Sequence, residues 1–124
     1  MRTSKNVRLY VNGKATTALA LFDSGATYNY VRKDVMEKIA SPTALPKPFA
    51  MGLGGRKQNL SLGVTLNVKV GKYEMPSQFF YVAETSKFDA IFGAFFLEKW
   101  GISLDPQGKR LKIHKDWFQL TEEF

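Results

Sequence analysis

Cysteine is absent from the 124 residues, and histidine occurs once, as His114. Disulfides, thiolate nucleophiles, cysteine-ligated zinc and iron–sulfur clusters are therefore excluded, as is any site built on two imidazoles. Long hydrophobic runs are missing too. The longest uncharged, mainly apolar stretches, residues 15–22 and 90–97, fall far short of the ~20 residues that span a bilayer as a helix, so no membrane partner is expected. Met1-Arg2-Thr3-Ser4-Lys5 is polar where a secretion signal needs an apolar core, so no secretion signal is read in this stretch, the compartment stays unknown with the cytoplasm favoured, and the chain could be a piece of a longer protein. Internal repeats and low-complexity linkers are also lacking.

Acidic residues are in the minority, 11 against 18 Lys and Arg, for a formal charge of +7. That excess is diffuse: basic residues occur singly or in pairs such as Arg32-Lys33, Arg56-Lys57 and Lys109-Arg110. Without a run of five, and without the stacked aromatics of an RNA-binding sheet, the charge argues for a solvated basic surface rather than specific nucleic-acid binding. With 44% hydrophobic and 14% aromatic residues, the chain can fill one core, which excludes disorder as its default state. Its length suits a single domain over 1–124, with a core at about 7–113 and a C-terminal extension at 114–124. The chemistry left to it rests on carboxylates, hydroxyls, lysines and backbone.

The dominant period is two. Leu60, Leu62, Val64, Leu66, Val68 and Val70 alternate with Ser61, Gly63, Thr65, Asn67 and Lys69, which writes a long strand with one buried face. Gly71-Lys72 turns it back into a strand over 73–82. A second hairpin opens the chain: Val7, Leu9 and Val11 alternate with polar residues, Asn12-Gly13 supplies a turn with positive φ, and residues 15–22 return. Helices are expected over 32–40, with Val35, Met36 and Ile39 on one side, and over 94–100, ending at Gly101. Residues 102–104 and 111–113 form a closing hairpin through Asp105-Pro106-Gln107-Gly108. The predicted fold is mostly β, a small antiparallel barrel or sandwich with one or two short helices.

Asp23 is the residue that asks for an explanation. It ends the apolar run Leu19-Ala20-Leu21-Phe22, where a carboxylate is costly unless donors or a counter-charge meet it. Ser24 offers a hydroxyl, Gly25 allows close backbone approach and Ala26 keeps the surroundings small. An ordinary Asx turn at a strand end would use the same residues. Two further segments bear on the choice. Phe49-Ala50-Met51-Gly52-Leu53-Gly54-Gly55-Arg56-Lys57 is a glycine-rich tip before the long strand, and it matches neither phosphate-loop pattern. Ile91-Phe92-Gly93 is an apolar strand that reaches a glycine and starts a helix.

In that order, the three segments resemble the retropepsin-like aspartic proteases, over about residues 7–113. The resemblance implies a closed, barrel-like domain acting as a homodimer on a peptide or protein substrate. It makes Asp23 the catalytic aspartate, Ser24 a brace across the dimer axis, and Gly25 the residue that brings backbone to the carboxylates. Gly52, Leu53, Gly54 and Gly55 become the flap, and Ile91 lines a substrate subsite. Members of this family often carry an acid after the Asp-Ser-Gly-Ala turn and an arginine after the Ile91-Phe92-Gly93 equivalent; Thr27 and Ala94 stand there, so that ion pair is absent, and Phe95 stands where cellular relatives place an aspartate.

The implied chemistry needs two carboxylates sharing one proton, and one chain supplies one, so a twofold axis beside Asp23 completes the site with neither metal nor cofactor. The alternative is a binding or dimerisation module that keeps the fold without proteolysis. Elsewhere, His114 reads as an exposed strand residue, Asp89 as a cap or turn before the Ile91 strand, and Asn59-Leu60-Ser61 as a chance match to a glycosylation acceptor.

Overall fold

The computed structural model describes residues 2–53, 55–85, 87–105, 107 and 110–114. Strand β1 (Arg2–Val11) runs into β2 (Lys14–Asp23) through Asn12-Gly13, whose φ values of 51° and 79° supply the left-handed pair that a two-residue hairpin turn requires. The register then runs from Val11 opposite Lys14 to Arg2 opposite Asp23. The first strand was expected to start at Val7; it starts at Arg2 instead. Ladder bonds to β2 carry its polar end, and Thr3 there is buried against the apolar face.

Next come β3 (Tyr30–Val31), α1 (Lys33–Met36), β4 (Thr43–Leu53), β5 (Arg56–Val70) and β6 (Tyr73–Val82). The expected helix over 32–40 is shorter than its apolar spacing suggested. After Met36 the backbone loosens into turns bonded Lys38 N to Val35 O and Ile39 N to Met36 O, yet Val35, Met36 and Ile39 all stay buried. β4 has no alternation to announce it, because Pro46 and Pro48 interrupt it. It survives as the last strand of the sheet, with its pairing to β5 shifted between Ala44 and Phe49, the place where proline's missing N–H costs least. The chain continues through β7 (Ala90–Phe92), α2 (Ala94–Lys99), β8 (Ile102–Leu104) and β9 (Leu111–Ile113). β8 and β9 pair as the expected closing hairpin; Pro106 and Gly108 of its turn and residues 115–124 of the extension lie outside the described residues.

The main sheet runs β1-β2-β7-β3-β6-β5-β4, and β5 also pairs with β1 across Arg8–Lys69, Leu9–Val68 and Tyr10–Asn67. The sheet therefore bends back on itself. That return contact is short and β4 lies outside it, so the expected closed barrel is a partial one. Leu9, Phe22, Met36, Leu66, Met75, Phe80 and Phe92 fill the interior, with Phe92 stacked on Phe22 at 5.0 Å and on Phe96 at 4.2 Å between ring centroids. A smaller cluster, Tyr30, Leu60 and Ala83, packs beneath Phe49, Met51, Leu53, Tyr81 and Ile91. Gly63, on the outward face of β5, has a specific purpose: a Cβ there would lie 2.4 Å from Cζ of Phe79, so the glycine lets that ring lie against the strand.

Asp89, at the entrance to β7, ties three segments together. One carboxylate oxygen accepts from Leu19 N of β2 at 2.7 Å, and the other accepts from Arg32 Nη2 at 2.9 Å. Arg32 N also donates to the Asp89 carbonyl at 3.0 Å. The expected cap before the Ile91 strand is thus also a cross-link. Removing it strands a backbone N–H and a guanidinium at a half-buried site, a loss of about 2–3 kcal/mol from hydrogen bonds to a charged group. Urea unfolding of Asp89→Ala should show that drop, with Asp89→Asn recovering part of it; a change below about 0.5 kcal/mol would mean the cross-link is ornamental.

Candidate active site

Asp23 ends β2 directly after Phe22, whose ring is wedged against Phe92 and Phe96. That anchor fixes the base of the loop. The backbone then turns sharply, with Ala26 N donating to Asp23 O at 3.1 Å. Gly25 N donates to Oδ1 of the Asp23 carboxylate at 2.8 Å. A Cβ on Gly25 would stand 3.2 Å from that same oxygen, so the position favours glycine by close approach. Oδ2 faces Arg2 Nε at 3.6 Å, the consequence of the cross-strand register, and the aspartate side chain stays 21% exposed. The carboxylate therefore has donors on one side and an open face toward solvent. Ser24 and Gly25 are exposed beside it.

The loop is clamped to the strand–helix junction of β7 and α2. Parallel pairing sets Leu21 opposite Ile91 and Phe22 opposite Phe92. Beyond it, Ala94 N donates to Ala26 O at 2.7 Å and Phe95 N to Thr27 O at 3.4 Å. Thus the places where an ion pair was expected to be missing are joined by backbone hydrogen bonds. Asn29 adds a side-chain link: its Oδ1 accepts from Gly93 N at 3.2 Å, and its Nδ2 donates to Phe79 O at 3.2 Å. The two strands of chain approach so closely that a Cβ on Gly93 would lie 2.5 Å from Tyr28 O and 2.6 Å from the Thr27 carbonyl carbon.

The β4–β5 hairpin packs Phe49, Met51 and Leu53 on the Tyr30, Leu60 and Ala83 cluster, which Ala26 and Ile91 also join. Leu53 pairs with Arg56 at its tip, Gly55 takes φ of +77°, and Gly52 is exposed with open space around its Cα; Gly54 lies outside the described residues. Two side-chain links hold the hairpin down. Tyr30 Oη donates to Met51 Sδ, and burial pushes the Tyr30 phenol up, so it keeps its proton. The Gln58 amide grips the Glu84 backbone both ways, donating to its carbonyl at 2.7 Å and accepting from its N–H at 2.9 Å. Leu53 and Ile91 line one cavity of about 480 Å³ together with Arg2, the ion-pair partner of Asp23. Leu53 and Ile91 thus share this cavity, and Arg2 connects it to Asp23, while Asp23, Ser24 and Gly25 are not among the cavity's lining residues and Gly52 and Gly55 are exposed at the hairpin tip. Arg2, Asn29 and Gln58 were not foreseen; only Arg2 had a signal, through the hairpin register. His114 lies outside this group and pairs with Ser103 Oγ at 2.9 Å.

Gly93→Ala should be far more damaging than Gly52→Ala, because it drives a methyl into backbone that is itself hydrogen-bonded. Thermal and urea unfolding should register a loss of roughly 1–3 kcal/mol for the first, the usual cost of overpacking, and little for the second. Equal stability of the two variants would contradict the clamp.

A family model described as Aspartyl protease matches residues 7–96. No curated protein sequence matches the chain. Among solved structures it is similar to the retroviral protease-like domain of Ddi1 from Leishmania major, with 21% identity, a TM-score of 0.61, and coverage of 91% of this chain and 90% of that one. It is also similar to EIAV protease complexed with the inhibitor HBY-793, with 18% identity, a TM-score of 0.58, and coverage of 85% and 93%. At these identities the structural likeness concerns the fold. The family match takes in both segments that clamp together around Asp23, and the chain belongs to the aspartyl protease family, with a retroviral protease-like fold.

Proposed function

We propose that this chain is an aspartic endopeptidase, a single catalytic unit per protomer that becomes active as a homodimer. The observation that carries the reading is the half-open Asp23 carboxylate, held by the Gly25 amide at the end of a buried strand in a chain of the aspartyl protease family. One such group per chain cannot do the chemistry. A twofold axis beside Asp23 supplies the second, and close like charges then hold one proton between the pair. One Asp23 takes a proton from the attacking water while its mate gives one to the scissile carbonyl oxygen, so the tetrahedral intermediate forms without net charge build-up.

The remaining residues divide the other tasks. Ser24 braces the two active-site loops across the axis, and Gly25 keeps backbone against the carboxylates. Gly52, Leu53, Gly54 and Gly55 form a flap over an extended peptide, and Ile91 lines the floor for apolar side chains. No metal or cofactor enters the reaction. A second reading, a dimerisation or binding module without proteolysis, draws support from the Arg2 ion pair, which gives Asp23 a basic partner within one chain at 3.6 Å.

Cleavage of a pool of unstructured peptides between about pH 3 and pH 8, read by mass spectrometry, separates the two readings, since a shared-proton dyad works on the acidic side of neutrality. Asp23→Asn should remove hydrolysis while keeping fold and dimer; residual turnover above a few per cent of wild type, more than a loss of at least ~10²-fold from removing an acid–base group would leave, would sink the assignment. Specific activity should also fall on dilution through the dimer dissociation constant, and with +7 on each protomer moderate salt should tighten association by screening repulsion. A monomer in light scattering that still cleaves peptides would overturn the dimer.

A further inference from the structure

The cavity that Leu53 and Ile91 share is apolar at its floor and basic at its rim. Leu21 and Phe88 complete the floor, while Arg2, Arg56 and Lys87 bring cations from β1, from the start of β5 and from the segment before β7. One carboxylate, Glu84, lines the same space. Arg2 is engaged with Asp23. Arg56 and Lys87 are exposed, and neither forms an ion pair among the described residues. Three cations from three separate elements around an apolar floor differ from an interspersed surface, where signs alternate and cancel. The volume, about 480 Å³, lies within the ~300–1,000 Å³ of ordinary ligand sites.

We propose that this cavity is an electropositive subsite that selects peptides carrying an aspartate or glutamate side chain next to apolar ones. The proposal rests on the proteolytic reading and names its substrate class. The acidic residue's methylene stem lies on Leu53, Ile91 and Phe88, and its carboxylate reaches Arg56 and Lys87 at the rim. Such a geometry uses the amphipathic character of glutamate, whereas an all-apolar pocket would reject the charge. It also gives the diffuse basic charge of the chain a local role: acidic segments are steered toward the flap side of the cleft.

The test separates binding from catalysis. Fluorescent peptides of extended apolar sequence, each with one Glu walked through successive positions and each matched by its Gln twin, are titrated into full-length Asp23→Asn protein. At one position the Glu peptide should bind at least ~5-fold more tightly than its twin at about 50 mM salt, and the ratio should shrink toward one at about 500 mM, as expected for rim ion pairs. It should also fade as pH falls through about 4, where the glutamate gains its proton. Adding Arg56→Gln and Lys87→Gln should bring the ratio to about one, and adding Arg56→Lys with Lys87→Arg instead should restore it, because charge rather than shape is read. Equal binding of Glu and Gln twins at every position, or a preference that survives loss of both cations, overturns the subsite. Failure of wild type to cleave any peptide overturns the proteolytic reading, and the binding ratio reports on the subsite in either case.

Discussion

A carboxylate placed directly after three buried residues, Ala20, Leu21 and Phe22, must be met by donors, or the strand end will not stay folded. In this molecule the Gly25 amide and Arg2 meet it, and much of the surrounding structure serves to keep that arrangement rigid. Phe22 locks the strand into the aromatic stack with Phe92 and Phe96. Ala94 and Phe95 bond backbone to backbone with Ala26 and Thr27, and Gly93 contributes by having no side chain at the point of closest approach. Asp89 fixes the far end of the same strand pair through Leu19 and Arg32. The half-open carboxylate therefore rests on a scaffold stapled at both ends.

The hairpin above it is built differently. Its tip has glycines at 52 and 55, and the anchors beneath it are two side-chain links, Tyr30 to Met51 and Gln58 to Glu84. Below the tip, Phe49, Met51 and Leu53 pack on the Tyr30, Leu60 and Ala83 cluster, so only the tip itself, with few buried contacts, can open at lower free energy than the core. In the proposed endopeptidase, the hairpin would act as a cover that admits an extended peptide and then excludes water from it. In the proposed dimer, the cation-rimmed cavity lies between floor and cover, so selection of an acidic side chain and closure would draw on the same contacts.

Much of this was legible from residues alone, where local chemistry decides. The period of two in Leu60 to Val70, the Asn12-Gly13 turn, the Asp23-Ser24-Gly25 turn and the glycine before α2 each carry their structure in a few neighbouring positions. Elements that depend on partners distant in sequence were hidden. β4 contains two prolines and exists because β5 offers it an edge. Arg2 opposite Asp23 follows from the two-residue turn, in which paired numbers sum to 25, but the polar stretch from Arg2 to Asn6 masked the strand's true length. Asn29 and Gln58 had no local signal, since their value lies in bonds to Gly93, Phe79 and Glu84. Thr27 and Ala94 carry no charge to pair, and the backbone bonds from Ala94 to Ala26 and from Phe95 to Thr27 were beyond any composition argument.

The central claim is that two Asp23 carboxylates from two chains form one site. Mixing wild type with Asp23→Asn at fixed total protein, under conditions where subunits exchange freely, tests it most directly. If both carboxylates are required, activity follows the square of the wild-type fraction, and an equal mixture retains about one quarter of the wild-type rate. A linear decline, with about one half remaining, would show that each chain works alone and would contradict the account.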